Sequence, residues 1–99
     1  MTERWIGIFK VIEEKDELGQ ILAKMCQTPD MKHWDGDLTP SLIEELTDLQ
    51  QALDFFMETN NVEIDPDRYD QKRQKYQHWL ELGELRGIDE PKYKVDTLD

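Results

Sequence analysis

The chain has 99 residues, 23 acidic and 12 basic, for a net charge of −11. That length makes one domain with a thin core, and the excess of negative charge argues against nucleic acid as a partner. The longest near-apolar run, Trp5 to Phe9, is too short for a membrane span or a secretory core, and the lone cysteine, Cys26, forms no internal disulfide. A cytoplasmic protein with no membrane partner is therefore expected, with Cys26 a small buried or half-buried hydrophobe.

In chain order, Trp5, Ile8, Phe9, Ile12, Leu18, Ile21, Leu22 and Met25 recur at spacings of three and four, which predicts a first helix from about Glu3 to Gln27. Residues 28–40, TPDMKHWDGDLTP, carry two prolines, a glycine and three aspartates without any period and read as a connection. Within it, Trp34 is an aromatic that could cap a nucleobase, although a loop tryptophan more often anchors its loop. Thr39 and Pro40 are a good N-cap and first-turn pair for a second helix through Leu42, Leu46, Leu49, Leu53 and Phe56, stopped by Asn60 and Asn61. Asp65 and Pro66 repeat that signal for a third helix ending at Gly83. No strand is predicted. The expected fold is all-α: a small bundle of about three main helices over residues 1–83, completed by oligomerisation, with residues 84–99 as a tail.

One phrase occurs twice, thirty-one residues apart: EEKDELGQIL at 13–22 and EELTDLQQAL at 44–53. At 100° per residue, Glu14 lies inside the apolar stripe of the first helix with Glu17 about 60° to one side, and Glu45 and Asp48 repeat the arrangement on the second. Packed antiparallel, two such helices gather four carboxylates, and burying like charges without a counter-charge is prohibitive. A divalent cation supplies it. The donors are all oxygen, with no histidine or cysteine at zinc or iron spacing, which selects magnesium (Mg2+), with manganese (Mn2+) as a substitute. The competing picture is a set of solvated carboxylates at the edge of the stripe.

The pattern EExxE (Glu13, Glu14, Glu17), then 27 residues, then ExxD (Glu45, Asp48) resembles the signature of the MazG-type all-α nucleoside triphosphate pyrophosphohydrolases, relatives of the dimeric dUTPases. Residues 65–79, DPDRYDQKRQKYQHW, are similar to that family's third helix, so the likeness spans roughly 5–80. It implies a homodimer or homotetramer that cleaves an NTP or dNTP between the α and β phosphates to NMP and pyrophosphate, with Glu14, Glu17, Glu45 and Asp48 holding magnesium.

Beside those ligands, Glu13 and Glu44 are candidates to orient the attacking water, although a surface role accounts for them equally well. On the third helix Arg68, Lys72 and Lys75 share a face with Tyr76 and Trp79, a surface suited to clamping phosphates and stacking a base; the alternative is an ordinary amphipathic helix. A non-catalytic nucleotide-binding or regulatory module, and a helical adaptor, are the other functional readings.

Overall fold

A computed structural model describes residues 3–33 and 36–88. The elements are α1 (Ile8–Gln27), β1 (Lys32–His33), β2 (Gly36–Asp37), α2 (Thr39–Asn60) and α3 (Pro66–Glu81). The chain is mainly helical, in the all-α class expected of it. No described helix is long and apolar enough to cross a membrane. Trp34 and most of the expected tail lie outside the described residues.

The first helix starts five residues later than its apolar spacing suggests, because Gly7 sits at φ 94° and Trp5 at φ 57°, conformations that no α-helix contains. The chain instead turns through residues 5–7, and the backbone N–H of Ile8 donates to the Trp5 carbonyl at 3.0 Å. The side chain of Asn60, at the far end of α2, holds this turn. Its Oδ1 accepts from Ile6 N–H at 3.1 Å, and its Nδ2 donates to the carbonyls of Ile6 and Phe56 at 2.9 and 2.8 Å. Trp5 stacks on Phe56 with centroids 6.0 Å apart. Asn60 thus does more than stop a helix, and Asn61, at φ 56°, supplies the left-handed C-cap.

The connection contains two short strands that the sequence does not announce. Lys32 pairs with Asp37 and His33 with Gly36 in an antiparallel ribbon. Two residues are too few for an alternating pattern, so only the aspartates and glycine hint at it. Asp30 Oδ1 accepts from Lys32 N–H at 3.1 Å, and Asp37 Oδ1 accepts from Thr39 N–H at 3.0 Å. Asp37 thereby takes the capping task expected of Thr39, which lies inside α2 while Leu38 occupies the N-cap. Leu38 is also the one buried apolar residue among those described, 4% exposed, its N–H donating to the Met31 carbonyl at 2.7 Å.

At α3, Asp65 Oδ1 accepts from Asp67 and Arg68 N–H, Pro66 follows in the first turn, and Gly83 at φ 75° ends the helix region as predicted.

α1 and α2 pack against each other, and the proximity of Ile6 to Asn60 and of Glu14 to Asp48 makes the pair antiparallel. α3 has no comparable packing on either helix. The radius of gyration, 18.2 Å, exceeds the roughly 13 Å of a compact domain this size. The expected three-helix bundle is thus not closed within one chain: a helical hairpin forms, and α3 stands off it. The apolar faces are left bare as a result. Phe9 is 82% exposed, Ile43 58% and Phe55 53%, while α3 offers Tyr69, Tyr76 and Leu80 to solvent. Cys26, too, is exposed and free rather than buried.

Candidate functional site

The antiparallel α1–α2 pair sets the two acidic phrases face to face. Glu14, Glu45 and Asp48 each bring one carboxylate oxygen to within 4.8 Å of the others. Glu14 and Glu45 are half-buried and Asp48 is exposed. In both glutamates the inner oxygen, Oε2, is shut off from solvent and has no hydrogen-bond donor. Glu17 lies outside the group of three but against both glutamates, close enough to share a proton with either. All four expected ligands therefore converge, three of them at mutual ligand spacing.

The electrostatics follow from that convergence. Desolvation pushes the Glu14 carboxyl above its ordinary range, and the charges of Glu17 and Asp48 push it further the same way. Glu45 is raised by desolvation first, then by Glu17, Asp48 and Glu14. As ionised groups these oxygens only accept, so contact with Glu17 requires either a retained proton or a cation.

Beside the carboxylates the two helices leave a cleft of about 450 Å³, lined by Gly7, Lys10, Glu14, Asp48, Gln51, Ala52 and Phe55. That volume falls within the usual range for small-molecule sites. Lys10, unnoticed in the sequence, stands one turn before Glu14 on the same face, and that four-residue spacing was the available signal. Its ammonium pairs with Glu13 Oε2 at 2.7 Å, and the Glu13 hydrogen bond holds its pKa above the ordinary value. Glu13 is thereby engaged with Lys10 on the surface. Glu44 is exposed on α2 and outside the carboxylate group.

The basic residues of α3 are divided between two grooves. Arg68 and Lys72 line one of about 530 Å³ with Ile64, Asp65, Tyr69, Arg73 and Tyr76, and the Lys72 ammonium lies 5.7 Å from the Tyr76 ring centre. Lys75 and Trp79 line a second with Gln71, Gln74 and His78. Tyr76 and Trp79 connect the two, with ring centres 5.8 Å apart. Arg73 joins the expected set. This larger groove shares no lining residue with the acidic cleft, because α3 stands off the α1–α2 pair.

No family model, no curated protein and no solved structure matches the chain.

Proposed function

We propose that the chain hydrolyses a nucleoside triphosphate, NTP or dNTP, between its α and β phosphates, giving NMP and pyrophosphate with magnesium. One observation carries this reading: two half-buried glutamates from different helices each keep an inner oxygen without a hydrogen-bond donor and each bring a carboxylate oxygen within 4.8 Å of the other and of Asp48. An all-oxygen donor set suits a hard divalent cation, so magnesium or manganese fits Glu14, Glu45 and Asp48, with Glu17 adjacent. Bound there, such an ion neutralises phosphate charge and lowers the pKa of coordinated water.

The chain's own groups cover the remaining needs of phosphoanhydride hydrolysis, which are positioning and charge. Lys10 presents a cation in the same cleft. Glu17, already against Glu14 and Glu45, is better placed than Glu13 or Glu44 to hold the attacking water and accept its proton. Arg68, Lys72, Lys75 and Trp79 would serve the phosphates and base once a neighbouring copy brings α3 across a cleft. Association of two or four copies also covers the apolar surface around Phe9 and Ile43 that the hairpin leaves bare. The alternative, a nucleotide-binding module without turnover, shares the cleft and differs only in product.

The test is incubation with a panel of NTPs and dNTPs and magnesium, with products separated by chromatography. NMP and pyrophosphate are expected from at least one nucleotide, lost with EDTA and reduced by orders of magnitude in Glu45→Gln. NDP and orthophosphate as products would overturn the proposal.

A further inference from the structure

The cleft beside the carboxylates has two unlike ends. Its acidic end is Glu14 and Asp48. At the far end lie Gly7, the N-cap before α1, and Phe55, seven residues from Asp48 along α2, about 10 Å at 1.5 Å per residue. Lys10 and Ala52 each stand one turn from the acidic end, and beyond them the Phe55 ring and Gly7 form an apolar end. Between the ends sits Gln51, a residue of the repeated phrase whose counterpart, Gln20, does not line the cleft. The Gln51 side chain is the cleft's one neutral hydrogen-bonding side chain, and it has no partner among the described residues.

Resting on the function just proposed, we infer that this apolar end receives the nucleobase, with Phe55 as its stacking platform and Gln51 reading its edge. The order of groups matches the order within a nucleotide: carboxylate oxygens, then the Lys10 ammonium and the Gln51 amide midway, then an aromatic face. An amide carries a donor and an acceptor side by side; adenine and cytosine present a donor beside an acceptor where guanine and uracil present an acceptor beside a donor, so one orientation of the amide prefers one pair. Phe55 is 53% exposed in the single chain, leaving ring surface to cover. Gly7 is required at that end by its backbone: its φ of 94° is one that side chains rarely adopt. A Cβ there would lie 3.9 Å from the Phe55 ring and 3.8 Å from Phe56. The Asn60 hydrogen bonds to Ile6 hold the glycine turn in place, which makes Asn60 a positioning residue for this end.

The experiment compares equilibrium binding of four non-hydrolysable α,β-methylene nucleoside triphosphates with that of inorganic tripolyphosphate, which has no base, each with and without manganese. Phe55→Ala is expected to weaken all four nucleotides about ten- to a hundredfold, the usual span for losing a base–aromatic stack, while tripolyphosphate stays within about twofold. Phe55→Tyr, which keeps the ring, should restore binding, and circular dichroism checks that each variant is folded. Gln51→Leu should flatten the ranking of the four bases. Equal loss of nucleotide and tripolyphosphate in Phe55→Ala, or an unchanged base ranking in Gln51→Leu, overturns the inference and leaves the metal reading standing. Base-dependent binding that ignores manganese would support the base pocket while removing the metal reading. Wild-type protein that binds neither ligand overturns both.

Discussion

Asn60→Ala is the substitution whose consequence the structure fixes most directly. The amide makes three hydrogen bonds, at 3.1 Å from Ile6 N–H and at 2.9 and 2.8 Å to the carbonyls of Ile6 and Phe56. Each is worth about 0.5–1.5 kcal/mol net, with the two exposed bonds at the lower end. The Phe56 bond adds least, since that carbonyl lies within the α2 ladder. Against the loss stands relief of Trp5, whose φ of 57° is costly for a bulky side chain. The balance is a destabilisation of about 1 kcal/mol, or about 4–8 °C in midpoint for a domain this size. Urea titration measures the stability, and amide exchange should quicken at Ile8, Lys10 and Val11, whose N–H groups bond back to Trp5 and Gly7. Trp5→Ala removes the stack on Phe56 that holds the same turn, so the double variant should lose less than the two singles together. A stability within about 0.5 kcal/mol of wild type, with exchange at Ile8 unchanged, would refute the idea that Asn60 fastens the turn.

The remaining predictions concern charge and assembly. The raised carboxyls of Glu14 and Glu45 bind protons more readily folded than unfolded, so their contribution to stability is present below the unfolded value and lost as pH rises through the folded one. Metal-free protein should therefore melt higher as pH is lowered from 7 toward 5, with a shallower slope in Glu45→Gln; identical slopes would show that the pair does not titrate this way. Asp37, lowered by its hydrogen bonds with Thr39, acts in the opposite sense, its contribution disappearing as pH falls through its folded value. Lys72→Gln should reduce kcat/KM about ten- to a hundredfold on the best nucleotide with the melting midpoint unmoved, and an unaltered kcat/KM would remove α3 from the site. Light scattering at micromolar concentration should return a dimer or tetramer, and a monomer would contradict the assembly proposed from the bare apolar faces.

Much of this was legible because the informative signals were local. The glycine at 83 and the Asp65–Pro66 pair bound α3 as their chemistry dictates, and the doubled phrase placed Glu14, Glu45 and Asp48 on facing stripes before any coordinates. Periodicity is blind to other things. It reads Trp5 as helical because its apolar side chain keeps step, whereas the backbone there is set by Gly7 and by an asparagine 54 residues away. Nor does it say that Glu13 will be taken up by Lys10, since a glutamate beside a glutamate carries no mark of which one faces inward. The standing of α3 off the hairpin was equally hidden, because an amphipathic stripe reports that a face wants cover and not which helix supplies it.

The placement of the chain's cations bears on whether Glu14 and Glu45 belong to a solvated acidic patch or to a site. Were Glu14 and Glu45 simply to need neutralising, Lys10 stands on the same face one turn away, yet its ammonium goes to Glu13 at 2.7 Å. Lys15 goes to Asp16 at 3.2 Å. Lys72 lies over Tyr76 on a helix that does not pack on the pair. The inner oxygens are thus left without a donor while basic side chains nearby are paired elsewhere, and two orphaned oxygens out of reach of water are more than an ordinary solvated face leaves behind. Such carboxylates are met either by retained protons, which their raised pKa values favour, or by a cation from outside the chain. Under the proposed function that cation is a divalent ion, and a phosphate ligand arriving with it would meet Lys10 in the same cleft.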